Sequence, residues 1–184
     1  YMYIGTKVLL RAYKEEDIEK ILSFVNDFEV KKLLDSNTPF PISKWEEEVW
    51  IKKNRGIDRL TYDFAIEEIS TGNIIGRCSI NSVNVKNRNC TIGIMIGDKN
   101  YWGKGYGYDA LSILIKFIFE ECNIEKIKLS VFSLNPRAIA CYKKLGFKEE
   151  GRLKREIYRE GKYHDEILMA LFREEYFNNI KDNN

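Results

Sequence analysis

Tyr101-Trp102-Gly103-Lys104-Gly105-Tyr106-Gly107 is the stretch on which the reading of this chain turns. It separates two patterns of different period. Before it, Cys90, Ile92, Ile94 and Ile96 alternate as in a strand; after it, Leu111, Leu114, Ile115 and Ile118 recur at helical spacing. A strand, a glycine loop and a helix start form an anion-binding arrangement, because the first amides of a helix lack internal partners and carry partial positive charge. Glycine lets oxygens approach the backbone and permits positive φ. Spacing excludes two phosphate loops. Walker A needs four residues between its first glycine and Gly-Lys-[Ser/Thr]; here five separate Gly97 from Gly103, and Gly105 follows Lys104 where a hydroxyl for magnesium is required. The dinucleotide fingerprint needs G-x-G-x-x-G, whereas 103–107 read G-x-G-x-G, and the next strand ends in Phe132-Ser133-Leu134 with no acidic ribose ligand.

Working outward toward the N-terminus, Lys86-Asn87-Arg88-Asn89 turns the chain into the 90–96 strand, and Thr71-Gly72-Asn73 joins a strand at 62–66 to one at 74–80 as a hairpin. Ile18, Ile21, Leu22 and Val25 at i, i+3, i+4, i+7, with Glu15, Glu16 and Asp17 at the favourable end, predict a first helix. Ser43 followed by Glu46 is a capping-box pattern for a second helix over 43–53, and Pro39 and Pro41 keep 35–41 as a loop. Toward the C-terminus, Ile127, Leu129 and Val131 alternate. Asn135-Pro136 then reads as an N-cap with proline at the first helical position. Ala138, Cys141, Tyr142 and Leu145 share one face of that helix, and Gly146 ends it. Two strands near 147–154 and 166–172 flank a turn at Glu160-Gly161-Lys162. The order predicts an α/β protein with a mixed sheet. A single domain over 1–184 is expected, with its core at about 7–173 and 174–184 as a frayed tail.

Composition narrows the function. Over 184 residues, 44% hydrophobic and 32% charged content is that of one globular domain able to bury a core. Thirty basic against 28 acidic residues argue against a nucleic-acid-binding tail. No run approaches the roughly 18 apolar residues of a membrane span, and no signal peptide opens the chain, so a cytoplasmic protein without nucleic-acid or membrane partners is expected. Cys78, Cys90, Cys122 and Cys141 lie far apart with no C-x-x-C pair, and His164 is the only histidine. That spacing predicts buried free thiols and no metal site. It also disfavours a Ser-His-Asp or Cys-His hydrolase, for which His164 would have to be the base.

Trp102-Gly103-Lys104-Gly105-Tyr106-Gly107 resembles the pyrophosphate loop of the GNAT acetyltransferase superfamily, [QR]-x-x-G-x-[GA], with Trp102 where Gln or Arg is usual. A second signature is independent of it: Asn135, Ala138, Tyr142 and Gly146-Phe147 reproduce N-x-x-[AS]-x-x-x-Y-x-x-x-G-F. The tryptophan variant and the 146–165 tail resemble the branch of ribosomal-protein N-terminal and spermidine N-acetyltransferases. The resemblance runs from about Val8 to Phe172.

The resemblance implies a largely antiparallel mixed sheet with flanking helices and a splayed central parallel strand pair, 90–96 and 127–133. It implies acetyl-CoA as co-substrate: backbone groups of Ile94, Met95 and Ile96 on the pantetheine arm, the Trp102, Gly103, Lys104, Gly105, Tyr106 and Gly107 loop on the pyrophosphate, and Asn135 capping its helix and reaching the cofactor. Tyr142 would be the acid for the departing thiolate, although it also belongs to the apolar stripe of its helix. Eleven Lys and Arg against four Asp and Glu over 126–162 suit a polyanion or a solvated surface. Relatives carry A-E-x-G early in the splayed strand, where this chain has Cys90-Thr91-Ile92-Gly93 and therefore no glutamate base. Asp35 is the candidate base, since its segment borders the acceptor site in relatives; a surface-loop aspartate is the plainer reading. His164 is a weaker candidate. The loop 35–41 and the Glu46-Glu47-Glu48 run could supply acid to a cationic acceptor, though such a run by itself reads as a solvated helix face. The expected function is acetyl transfer to a primary amine, whether polyamine, protein N-terminus or small amine, by direct attack. The alternative is a catalytically silent acyl-CoA-binding regulatory domain. A homodimer, common in the superfamily, stays open.

Overall fold

The computed structural model describes residues 2–53 and 61–182. The chain divides into two compact units, Tyr1–Asn81 with Gly93–Ile113, and Ser82–Ile92 with Leu114–Asn184. The first holds β1 (Tyr3–Ile4), β2 (Val8–Arg11), α1 (Asp17–Val25), α2 (Phe28–Lys31), α3 (Lys44–Lys53) and β3 (Tyr62–Glu68). It also takes most of β4 (Ile74–Asn84), the end of β5 (Asn89–Ile96) and the start of α4 (Tyr106–Glu121). The second holds their remainders with β6 (Lys126–Phe132), α5 (Pro136–Lys144), β7 (Lys148–Arg159), β8 (Lys162–Phe172) and α6 (Arg173–Asp182). Hydrogen-bonded neighbours follow the order β1-β2-β3-β4-β5-β6-β8-β7. The sheet is mostly antiparallel and β5–β6 is parallel, as expected of the fold class.

In the first unit the periodic face of α1 is the one that is buried: Ile21, Phe24 and Val25 pack with Val30, Ala65, Ile74 and Met95. Ser43 caps α3 as its sequence predicts, with Ser43 N–H and Oγ–H donating to Glu46 Oε2 at 2.8 and 2.7 Å. α2 and β1 escaped prediction because four and two residues are too few to show a period. In the second unit, Asn135 Oδ1 accepts from Ala138 N–H at 3.2 Å and Pro136 opens α5. The segment expected to fray is helical through Asp182, with residues 183–184 outside the described part. Tyr176 stacks on Phe119 at 5.1 Å, Arg173 donates to the Phe119 carbonyl, and Lys148 pairs with Glu175 at 2.5 Å. Its polar Asn-rich end concealed this docking face. The thiols are free, and Cys78 and Cys90 are buried, which pushes Cys90 up to about 12.

A buried ionic cluster ties β2, α1 and β3 together. The Arg11 guanidinium forks onto Asp17 at 2.7 and 3.0 Å and also donates to Glu67. Burial works against the Asp17 charge, yet the Arg11 fork and the Lys14 amide at 2.7 Å hold its carboxyl below the ordinary range. A depressed folded value gives stability that is present above the unfolded pKa and lost as pH falls. The denaturant midpoint should therefore be flat from pH 7 to 5 and fall below about pH 4, and Asp17→Asn should flatten that fall at the cost of a lower plateau.

Candidate active site

The glycine loop is held open by its neighbours. Gly103 and Gly105 take φ of +70° and +86°, a region in which any Cβ is strained, and the space beside Gly103 is empty. Among the described residues, the amides of Gly103, Lys104, Gly105, Tyr106 and Gly107 donate to no internal acceptor. A helix start with such amides suits a diphosphate. The start of α4 is anchored by Asp109, whose carboxylate accepts from the amides of Thr6, Lys7 and Val8 at 3.2, 2.8 and 3.0 Å. Burial disfavours that charge, but these three amides keep the carboxyl below its usual range. The anchor brings Lys7 Nζ to 5.1 Å from the Tyr106 ring centroid, beside the open loop. Sequence reasoning missed Asp109 because a carboxylate gathering amides about a hundred residues away leaves no local pattern.

Trp102, where the family pattern has Gln or Arg, anchors the loop. Its Nε1–H donates to the Ile96 carbonyl at 2.6 Å, tethering the loop to the last residue of β5. The parallel ladder pairs Asn89, Cys90 and Thr91 with Lys126, Ile127 and Lys128. Ile94, Met95 and Ile96 lie past its last pair.

Ile94 and Met95 line a cavity of about 450 Å³ together with Asp35, the candidate base. Among the described residues, five ionisable side chains line it: Lys31, Asp35, Glu46, Glu47 and Arg77. Glu47 is 2% exposed and pairs with Arg77 at 2.5 Å, while the Arg77 guanidinium lies 4.0 Å from the Trp50 ring centroid. Lys31 reaches Asp35 at 3.9 Å, and the Asp35 carboxylate also accepts from Asn37 N–H at 2.8 Å. Glu46 keeps its capping bonds, which hold its carboxyl low. The acidic run is therefore not a uniformly solvated face: Glu46 is exposed, but Glu47 turns inward with Ile51. The signal was the i, i+3, i+4 set of residues 47, 50 and 51, obscured because a glutamate sits among the apolar positions. Lys31 and Arg77 were not foreseen.

In the second unit, Tyr142 on α5 is buried, its ring 6.0 Å from that of Phe147, and its carbonyl accepts from Phe147 N–H at 3.0 Å. Burial raises its phenol above the ordinary value, so the proton stays on at neutral pH. Asn135 sits at the head of the same helix. His164 lies in β8 opposite Ile157, outside the cavity. Among the described residues no cluster of His, Cys, Asp and Glu could hold a metal, and no helix is long and apolar enough to cross a membrane.

Residues 7–148 match the family model of the GNAT acetyltransferase domain. The chain belongs to the GNAT acetyltransferases. It is 31% identical to the SPbeta prophage-derived uncharacterized N-acetyltransferase YokL of Bacillus subtilis (strain 168), over 95% of this chain and 94% of that one. It is 25% identical to the spermidine N(1)-acetyltransferase of Vibrio cholerae, over 95% and 98%. The crystal structure of the Vibrio cholerae spermidine N-acetyltransferase in complex with CoA and spermine superposes with a TM-score of 0.83 at 27% identity, covering 94% of this chain and 99% of that one. This GNAT protein is thus an N-acetyltransferase using acetyl-CoA. Its open amide loop, positive-φ glycines and nearby Lys7 fit the diphosphate of that co-substrate.

Proposed function

We propose that this enzyme moves an acetyl group from acetyl-CoA to the nitrogen of a primary amine, with Tyr142 as general acid and Asp35 as the base. The observation that carries the reading is the pairing of an open amide loop with a cavity whose wall is the adjoining strand, at Ile94 and Met95. Acetyl-CoA supplies an acetyl thioester, whose carbonyl carbon takes the amine lone pair while the carbon–sulfur pair goes to sulfur and one proton moves from nitrogen to the thiol. The amides of 103–107 hold the diphosphate, Ile94, Met95 and Ile96 offer backbone groups to the pantetheine arm, and Asn135 fixes the helix that carries Tyr142. Asp35 Oδ2 takes the proton that keeps the amine unreactive and passes it to solvent, the Tyr142 hydroxyl donates to the sulfur, and the proton leaving the acylated nitrogen returns to the Tyr142 oxygen. Thiol release from acetyl-CoA with a panel of polyamines, arylalkylamines, peptides and aminoglycosides tests the reading; no release with any member overturns it. Thr91, where relatives carry glutamate, favours the second reading, a silent acyl-CoA-binding domain, which CoA binding without turnover would identify.

Trp102→Phe keeps the ring and removes the donor to Ile96. Losing one hydrogen bond of about 1 kcal/mol should weaken acetyl-CoA about fivefold, read by calorimetry, with kcat nearly unchanged.

A further inference from the structure

We infer that the acceptor is a primary amine with a single positive charge on an apolar body, of the arylalkylamine class, rather than a polyamine. The inference rests on the acetyl-transfer reading above and on the charge balance of the cavity. Among the described residues, three carboxylates and two cations line it, leaving one net negative charge. The cations are fixed there. Arg77 is locked by Glu47, at 2.5 Å and 2% exposed, and by the Trp50 ring. Removing Arg77 from the wall would strand a buried carboxylate. Lys31 sits 3.9 Å from Asp35, and its charge also acts on Glu46. Glu46 is further engaged by Ser43 N–H and Oγ–H at 2.8 and 2.7 Å.

A polyamine brings two or more ammonium groups joined by short methylene spacers, with no aromatic or branched apolar body. One of them can be matched; the next meets Lys31 or Arg77, and like charges brought together in a concave site cost affinity. Beside Asn37, Ser79 and Asn81, which are polar, the other side chains of the wall are apolar, Trp50 and Met95 among them, and they reward a hydrocarbon or aromatic body. The volume, about 450 Å³, is that of a small-molecule site.

The test compares kcat/KM for 2-phenylethylamine and spermidine at saturating acetyl-CoA, followed by thiol release, with the full chain. The arylalkylamine should exceed spermidine by about tenfold or more. Lys31→Glu should raise spermidine kcat/KM by about tenfold, and Lys31→Gln should raise it less, because the first reverses the charge and the second only removes it. Spermidine equal to or better than 2-phenylethylamine in the unaltered enzyme overturns the inference, as does a Lys31→Glu variant with no gain on spermidine. Calorimetric binding of both amines in the presence of CoA separates this from the parent reading. Tighter 2-phenylethylamine without turnover sustains the cavity inference and overturns transfer. Tighter spermidine overturns the inference whatever the turnover, and no binding of either overturns it too.

Discussion

Tyr142→Phe is expected to lower kcat by about 10²–10⁴-fold while the affinity for acetyl-CoA changes by less than about threefold. The substitution removes one oxygen and leaves the ring against Phe147, so the packing of α5 and its Asn135 cap should survive. Burial raises the phenol's pKa, so the proton is in place at neutral pH and is given up only to the charge developing on the sulfur. An acid of this kind loses activity only on deprotonation, so any alkaline limb belonging to Tyr142 should lie above about pH 10, and it should vanish in the phenylalanine variant. The measurement pairs steady-state kcat across pH with calorimetric binding of acetyl-CoA. Equal losses of turnover and affinity would assign Tyr142 to packing, the reading its place on the apolar stripe offers; unchanged turnover would remove it from the mechanism.

What could be read in the sequence was whatever repeats or sits close along the chain. The i, i+3, i+4 face of α1, the Ser43–Glu46 capping box and the Asn135-Pro136 helix start are local, and the structure reproduces them. Strands β3 to β6 followed from alternation and turn residues in the same way. The site was half legible for the same reason. The 103–107 loop and the 135–147 signature are contiguous motifs, whereas the cavity depends on side chains that meet only after folding. Arg77 and Glu47 are 30 positions apart and Asp109 captures the amides of residues 6–8 from 101 to 103 positions away. Polar pairs of that separation have no period to detect. Trp102 shows the mixed case: its departure from the family pattern was visible, but its compensation, a bond to the Ile96 carbonyl, needed the folded loop. The helix α6 was hidden by polarity at its end, while its anchoring residues, Arg173 and Tyr176, lie at its start.

The Glu47–Arg77 pair makes the strongest stability prediction. Glu47→Ala should destabilise the fold by about 3–5 kcal/mol, because it leaves a guanidinium enclosed between α3 and β4 without its carboxylate. For a chain of this length that is a fall in Tm of about 10 °C. Helix propensity cannot supply such a loss, since alanine is the best helix former and the exchange is neutral to favourable on that account. The double variant Glu47→Met with Arg77→Leu should recover most of it, as replacing both members of a buried pair by apolar groups of similar size is close to neutral. In the double variant the cavity wall loses a carboxylate and a cation together, so its net charge stays the same. Spermidine should then be used no better than by the unaltered enzyme, in contrast with Lys31→Glu, which changes that charge. Additive losses in the double variant would show that the two residues act independently, and that the short contact between them is not what holds α3 against β4.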